Sequence, residues 1–97
     1  MATIEWTDEA VSWLQEIYDY IAIENREVAN RVTDAIFDKV QILNHFPKIG
    51  YKYEDKENVR ILLYGHYRIA YLIKESGNID ILGVFHGSLN IEQYLKM

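Results

Sequence analysis

Residues 59–86 read VRILLYGHYRIAYLIKESGNIDILGVFH. Three runs of β-branched, aliphatic and aromatic residues (59–64, 67–74 and 79–86) are divided by two turn signals, Gly65-His66 and Glu75-Ser76-Gly77-Asn78. Runs joined by turns this short can pair only antiparallel, so the stretch predicts a three-stranded meander. A two-residue turn at Gly65-His66 pairs Tyr64 with Tyr67 and sets Arg60 opposite Tyr71, with Arg68 on the other face; a bulge would alter that count. Side chains alternate across a strand. Tyr67, Ile69, Tyr71 and Ile73 then share one face, and Ala70 and Leu72 the other. By the same rule the third strand sets Ile79, Ile81 and Phe85 against Leu82 and Val84. Both faces are apolar, and such a sheet needs cover on both.

The rest of the chain must supply that cover, or a partner must. Residues 2–6 (ATIEW) alternate and predict a short strand that joins the meander as a fourth. Thr7 or Asp8 can cap a helix whose first turn carries Asp8 and Glu9, where acids favour the helix dipole. Ala10, Leu14, Ile17 and Ile21 recur at helical spacing, flanked by Val11, Trp13 and Tyr18, and predict a helix over 8–24. After a break at Asn25-Arg26, Val28, Val32, Ala35, Ile36, Val40 and Leu43 predict a second helix over 27–45. It ends before Pro47, which disfavours helix at the preceding residue. Two amphipathic helices with so short a connection form an antiparallel hairpin. Residues 48–58 (KIGYKYEDKEN) are polar and predict an irregular segment turning at Gly50, and residues 89–95 predict a short terminal helix. The fold class is thus α+β: an N-terminal strand, a helical hairpin, a three-stranded antiparallel meander and a short C-terminal helix. The hairpin covers one sheet face. The other face, with at most the tail over it, is expected to hold an apolar groove open to a partner.

Composition narrows the function. Ninety-seven residues make one domain over 1–97. Cysteine is absent, which removes disulfides, thiolate metal sites and a Cys nucleophile. No histidine pair has metal-ligand spacing with a carboxylate, so neither metal nor cofactor is expected. The N-terminus lacks a signal-peptide pattern, and no apolar run approaches the roughly 20 residues of a membrane span. A cytoplasmic protein is the simplest expectation. The net charge of −5 argues against general nucleic-acid binding.

Several local patterns, in order, resemble the RelE/ParE superfamily of bacterial toxins from type II toxin–antitoxin (plasmid stabilisation) systems. Ile4-Glu5-Trp6-Thr7 leads straight into an acidic helix start. The second helix exits through Ile42-Leu43-Asn44-His45-Phe46-Pro47-Lys48-Ile49-Gly50. Val59-Arg60-Ile61-Leu62 looks like the family's VR-x-L strand, Tyr67-Arg68-Ile69-Ala70-Tyr71 its YRI-x-Y strand, and residues 81–87 its last strand with the His-Gly ending. The resemblance implies a growth-inhibiting toxin neutralised by a small antitoxin whose C-terminal segment wraps the toxin, either as a homodimer or as a toxin–antitoxin hetero-oligomer. It implies one of two targets. ParE-like members inhibit DNA gyrase without catalysis. RelE-like members cleave mRNA on the ribosome, and for them Arg60, Arg68 and His86 would be the catalytic candidates. The tail His86-Gly87-Ser88-Leu89-Asn90 lacks the extra arginines or tyrosine common in the nucleases, and this favours the ParE-like reading. A third reading is a non-toxic relative that only binds its antitoxin.

Each of these residues also has a plain structural role available. Arg60 and Arg68 can pair with carboxylates such as Glu5 or Asp80, or lay their stems over the tyrosines. A histidine ending an apolar strand more often bonds at an edge than acts as a base. Lys48, Lys52 and Lys56 are interleaved with Glu54, Asp55 and Glu57, as in a solvated loop.

Overall fold

The computed structural model describes residues 3–87. The terminal helix expected at 89–95 lies outside them. The order is β1 (Ile4–Trp6), α1 (Asp8–Ala22), α2 (Arg26–Val40), a turn of 3-10 helix (Gln41–Asn44), β2 (Tyr51–Tyr53), β3 (Lys56–Tyr64), β4 (Tyr67–Ile73) and β5 (Ile79–His86). The expected α+β arrangement is present. Among the described residues the strands form one sheet ordered β1-β5-β4-β3-β2, with β1 parallel to β5 and the other neighbours antiparallel. No helix among them is long and apolar enough to cross a membrane.

The helices start where the caps lie. Thr7 Oγ1 accepts the Ala10 N–H at 3.1 Å and donates to the Ile81 carbonyl at 2.7 Å, so one side chain caps α1 and ties it to β5. Asn25 Oδ1 accepts the Val28 N–H at 3.1 Å and caps α2. The second α-helix ends at Val40, earlier than expected, and tightens into the 3-10 turn before Pro47. Ala10, Ile36, Val40 and Leu43 bury against Leu62, Ile69, Tyr71, Ile79, Ile81 and Val84 of the sheet. At the sheet edge Trp6 stacks on Phe37 of α2, with centroids 5.8 Å apart.

The meander register is the expected one: Tyr64 pairs with Tyr67 and Arg60 with Tyr71. Gly65 takes φ +56° at the turn, a region open to glycine. Three expectations need correction. The segment 48–58 is not irregular. It holds β2 and the start of β3, with Tyr53 paired to Lys56 across Glu54-Asp55 and Glu54 at φ +49°. Next, β5 carries a bulge. Ala70 pairs with Gly83 but Tyr71 pairs with Ile81, so Leu82 is the extra residue. Beyond it the parity reverses: Val84 joins Ile79 and Ile81 under the helices, and Phe85 joins Leu82 on the other face.

The third correction concerns that second face, expected to hold an open groove. Its centre is closed: Ile61 and Ala70 are fully buried and Phe85 is 1% exposed. Trp13 reaches around the β5 edge and meets the Phe85 ring edge-to-face at 4.8 Å, and Tyr53, Val59 and Leu82 pack into the same cluster. A Cβ on Gly83 would lie 2.6 Å from that ring, so the glycine makes room for Phe85 to lie back over the strand.

Candidate functional site

Arg60, on the helix side of β3, spends its guanidinium on the backbone. Its Nη1 donates to the Gly50 carbonyl at 2.6 Å and the Lys48 carbonyl at 3.2 Å. Beside it, Tyr71 is fully buried; its hydroxyl donates to the Pro47 carbonyl at 2.7 Å and accepts the Gly50 N–H at 3.0 Å. Burial raises the Tyr71 pKa above the usual phenol value, while the Gly50 hydrogen bond and the Arg60 charge pull the other way. Together the two side chains sew the loop after the 3-10 turn onto the sheet. Carboxylates such as Glu5 or Asp80 were one expectation for Arg60, a stem laid over the tyrosines the other; Asp80 pairs with Lys74 at 3.2 Å. Tyr71→Phe should therefore leave the Gly50 N–H and Pro47 carbonyl short of a partner and cost about 1–3 kcal/mol of stability. Urea unfolding of the variant measures this.

Arg68 lies on the opposite face, paired in register with Phe85, and its Nη2 donates to the Gly87 carbonyl at 2.8 Å. His86 is exposed at the end of β5, opposite Tyr67. Its ring meets Tyr67 edge-to-face at 5.7 Å and stacks on His66 at 6.2 Å. The three catalytic candidates thus do not meet at one point: the Arg68 guanidinium reaches the residue after His86, while Arg60 lies towards the other end of the strands. Arg60 and His86 share the helix side but sit opposite Tyr71 and Tyr67, about 13 Å apart along β4. Arg68 points to the far face. Lys48, Lys52 and Lys56 are exposed on the loop, on β2 and at the start of β3, with Lys52 paired in register with Arg60. Among the described residues no group of three or more His, Asp or Glu side chains could hold a metal ion.

One concave surface runs along the outer flank of α1, and another hollow, of ≈ 410 Å³, opens at Phe46, Pro47, Lys48 and Ile49. A cleft of ≈ 430 Å³ opens between Trp13, Ile17 and Tyr20 of α1 and Tyr67, Val84 and His86 of the sheet, with Glu16 at its rim. Tyr20 and Ile21 also line a second hollow of ≈ 400 Å³ running on to Ile23, Glu24 and Val28 at the helical turn. The two hollows adjoin at these two side chains as a two-part trough. Its apolar walls are uncovered: Tyr20 is 80% and Ile23 82% exposed. Burial raises the pKa of Tyr67 on the trough wall. Residues three and four apart share a helix face, which is how Trp13, Ile17 and Tyr20 come into one row. The residues missed in the sequence are Tyr20 and Ile23, and the available signal was an apolar stripe on α1 wider than the core requires.

Comparison with known proteins bears on the family and the fold. The family model of the ParE toxin of the type II toxin–antitoxin system parDE matches residues 4–91. No curated protein matches the chain. Among solved structures, the chromosomal ParDE toxin–antitoxin system from P. aeruginosa superposes with a TM-score of 0.73 at 24% identity, over 89% of this chain and 96% of that one. The toxin–antitoxin complex RelBE2 from Mycobacterium tuberculosis superposes with a TM-score of 0.68 at 20% identity, over 88% of this chain and 96% of that one. At these identities the likeness is one of fold.

Proposed function

Because the chain belongs to the ParE toxin family of type II toxin–antitoxin systems, we propose that it arrests bacterial growth by binding DNA gyrase, without catalysis, until a cognate antitoxin neutralises it. In this reading it acts in the cytoplasm as a single domain over 1–97. The observation that carries the non-catalytic reading is the separation of Arg60 from Arg68 and His86. Cleavage of RNA needs a base within hydrogen-bond reach of the reacting hydroxyl and cations around the phosphate, all at one point. Here Arg60 is committed to the Lys48 and Gly50 carbonyls and Arg68 bonds the Gly87 carbonyl on the other face. The net charge of −5 also suits a protein target better than ribosomal RNA.

Protein synthesis pulse-labelled in the first minutes after induced expression tests the proposal. The expected result is continued synthesis in cells that stop dividing and filament, with inhibition of gyrase supercoiling by the purified protein. Arg68→Ala is expected to retain toxicity. Immediate collapse of synthesis, with toxicity lost in Arg68→Ala, replaces gyrase with mRNA as the target. No effect on growth leaves an antitoxin-binding relative without toxic activity.

A further inference from the structure

We propose that the chain holds its target through the β2 edge of the sheet, where the 46–49 turn, Tyr51 and Leu63 take the apolar side chains of an acidic protein segment. The inference rests on the gyrase reading above and adds the contact surface and the chemistry it selects. Eight large apolar side chains are exposed among the described residues, and four of them, Phe46, Ile49, Tyr51 and Leu63, fall on this edge. The Ile49 N–H donates to the Phe46 carbonyl at 3.1 Å and closes a turn at the ≈ 410 Å³ hollow. Gly50, next in the chain, is so near β3 that a Cβ would stand 2.7 Å from the Ile61 carbonyl oxygen, and Tyr51 pairs with Ile61 in register. Leu63 is two residues on from Ile61 and shares its face. The exposed apolar side chains thus follow one another from the turn onto β2 and β3. Apolar surface gathered in this way marks an interaction site.

Charge selects the partner. Residues 41–53 and 58–74 contain no aspartate or glutamate, in a chain that has 15, and they hold five of its ten lysines and arginines. Lys48 lines the hollow, and Lys52 stands exposed on β2. Glu54, Asp55 and Glu57 sit at the tip of the β2–β3 turn, beyond Tyr53, which leaves the Lys48 end basic. Such an edge, on a protein of net charge −5, attracts an acidic segment. Nucleic acid fits it less well. Arg60 and Arg68 already bond backbone carbonyls, and the aliphatic Ile49 and Leu63 offer a phosphate no hydrogen bond. The surface is also preformed. Tyr71 holds the Pro47 carbonyl and the Gly50 N–H, and Arg60 the Lys48 and Gly50 carbonyls, so docking need not order the turn.

DNA gyrase holoenzyme is the probe. Its affinity for the chain, and the inhibition of its supercoiling, are measured for the wild type, Lys48→Glu, Phe46→Ser, Leu63→Thr and the triple variant. All three positions are exposed, so thermal unfolding should stay near wild type and separate a folding defect from a binding one. Each single change is expected to weaken binding and inhibition roughly tenfold. The Lys48→Glu effect on affinity should shrink at high salt and the Leu63→Thr effect should not. A photocrosslinking benzoylphenylalanine in place of Phe46 should join the chain to a gyrase subunit. Wild-type affinity and inhibition in the triple variant overturn the inference and leave the gyrase reading standing. Crosslinking to the DNA substrate alone overturns it in favour of nucleic acid. A wild type that neither binds nor inhibits gyrase overturns both.

Discussion

Phe85→Ala is expected to cost about 3–5 kcal/mol of unfolding free energy. The Phe85 ring is 1% exposed and forms the middle of the second-face cluster with Ile61, Ala70 and Tyr53. Its edge-to-face contact with Trp13 joins that cluster to α1 across the β5 edge, a pairing worth more than its area alone. Truncation also strands the space above Gly83, where no side chain is present to fall in. The backbone there is held by β4 on one side, so the site collapses poorly and the cost belongs at the upper end of the range. A lower urea midpoint with an unchanged m-value checks it, since the unfolded surface stays nearly the same. A drop of under about 1 kcal/mol, the range of a surface substitution, would mean the ring is not holding the two layers together.

Gly50→Ala is the second large effect, expected at about 2–4 kcal/mol. A Cβ there would lie 2.7 Å from both the Ile61 carbonyl oxygen and the Tyr71 hydroxyl. Neither can retreat cheaply: the carbonyl belongs to β3, and the hydroxyl is held by Pro47. The loop must lift, and with it go the Gly50 N–H bond to Tyr71 and the Arg60 bond to the Gly50 carbonyl. Gly65→Ala is a contrast. It is strained by φ +56° but faces open space, and should cost less. Combining Gly50→Ala with Tyr71→Phe should cost less than the sum of the two, because both break one network. Equal costs at Gly50 and Gly65 in thermal unfolding would count against the close-packing argument.

Much of this was legible in the chain because it depends on local pattern. The two turns and the alternation around Tyr67 set the β3–β4 register, and helical spacing with Thr7 and Asn25 marked both helix starts. What was missed depended on contacts between distant residues. Nothing in KIGYKYEDKEN announces a strand, since Tyr51-Lys52-Tyr53 is short and polar and its turn seats Glu54 in a left-handed conformation with no glycine. The bulge at Leu82 shows in no apolar pattern, yet it exchanged the faces of Val84 and Phe85 and so moved the expected groove. The arginines were read as pairing with carboxylates, as lying over the tyrosines, or as catalytic. Their acceptors are backbone carbonyls that only the folded loop and the end of β5 bring near. The trough on α1 was visible only as surplus: more aromatic and aliphatic residues than one buried stripe needs.

The parallel pairing of β1 with β5 has a consequence for how the protein comes into being. Ile4 aligns with Ile79 and Trp6 with Ile81, so the first strand synthesised has its partner among the last. Thr7, which caps α1, completes its bonding only on the Ile81 carbonyl. On the ribosome, the helical hairpin therefore emerges with its apolar stripe bare and waits for most of the remaining chain before the sheet can close over it. Closure across so long a separation is slow compared with helix or hairpin formation. A nascent chain is thus exposed to proteases and to association throughout its own translation. The complete sheet forms only in a single late step, once β5 has emerged.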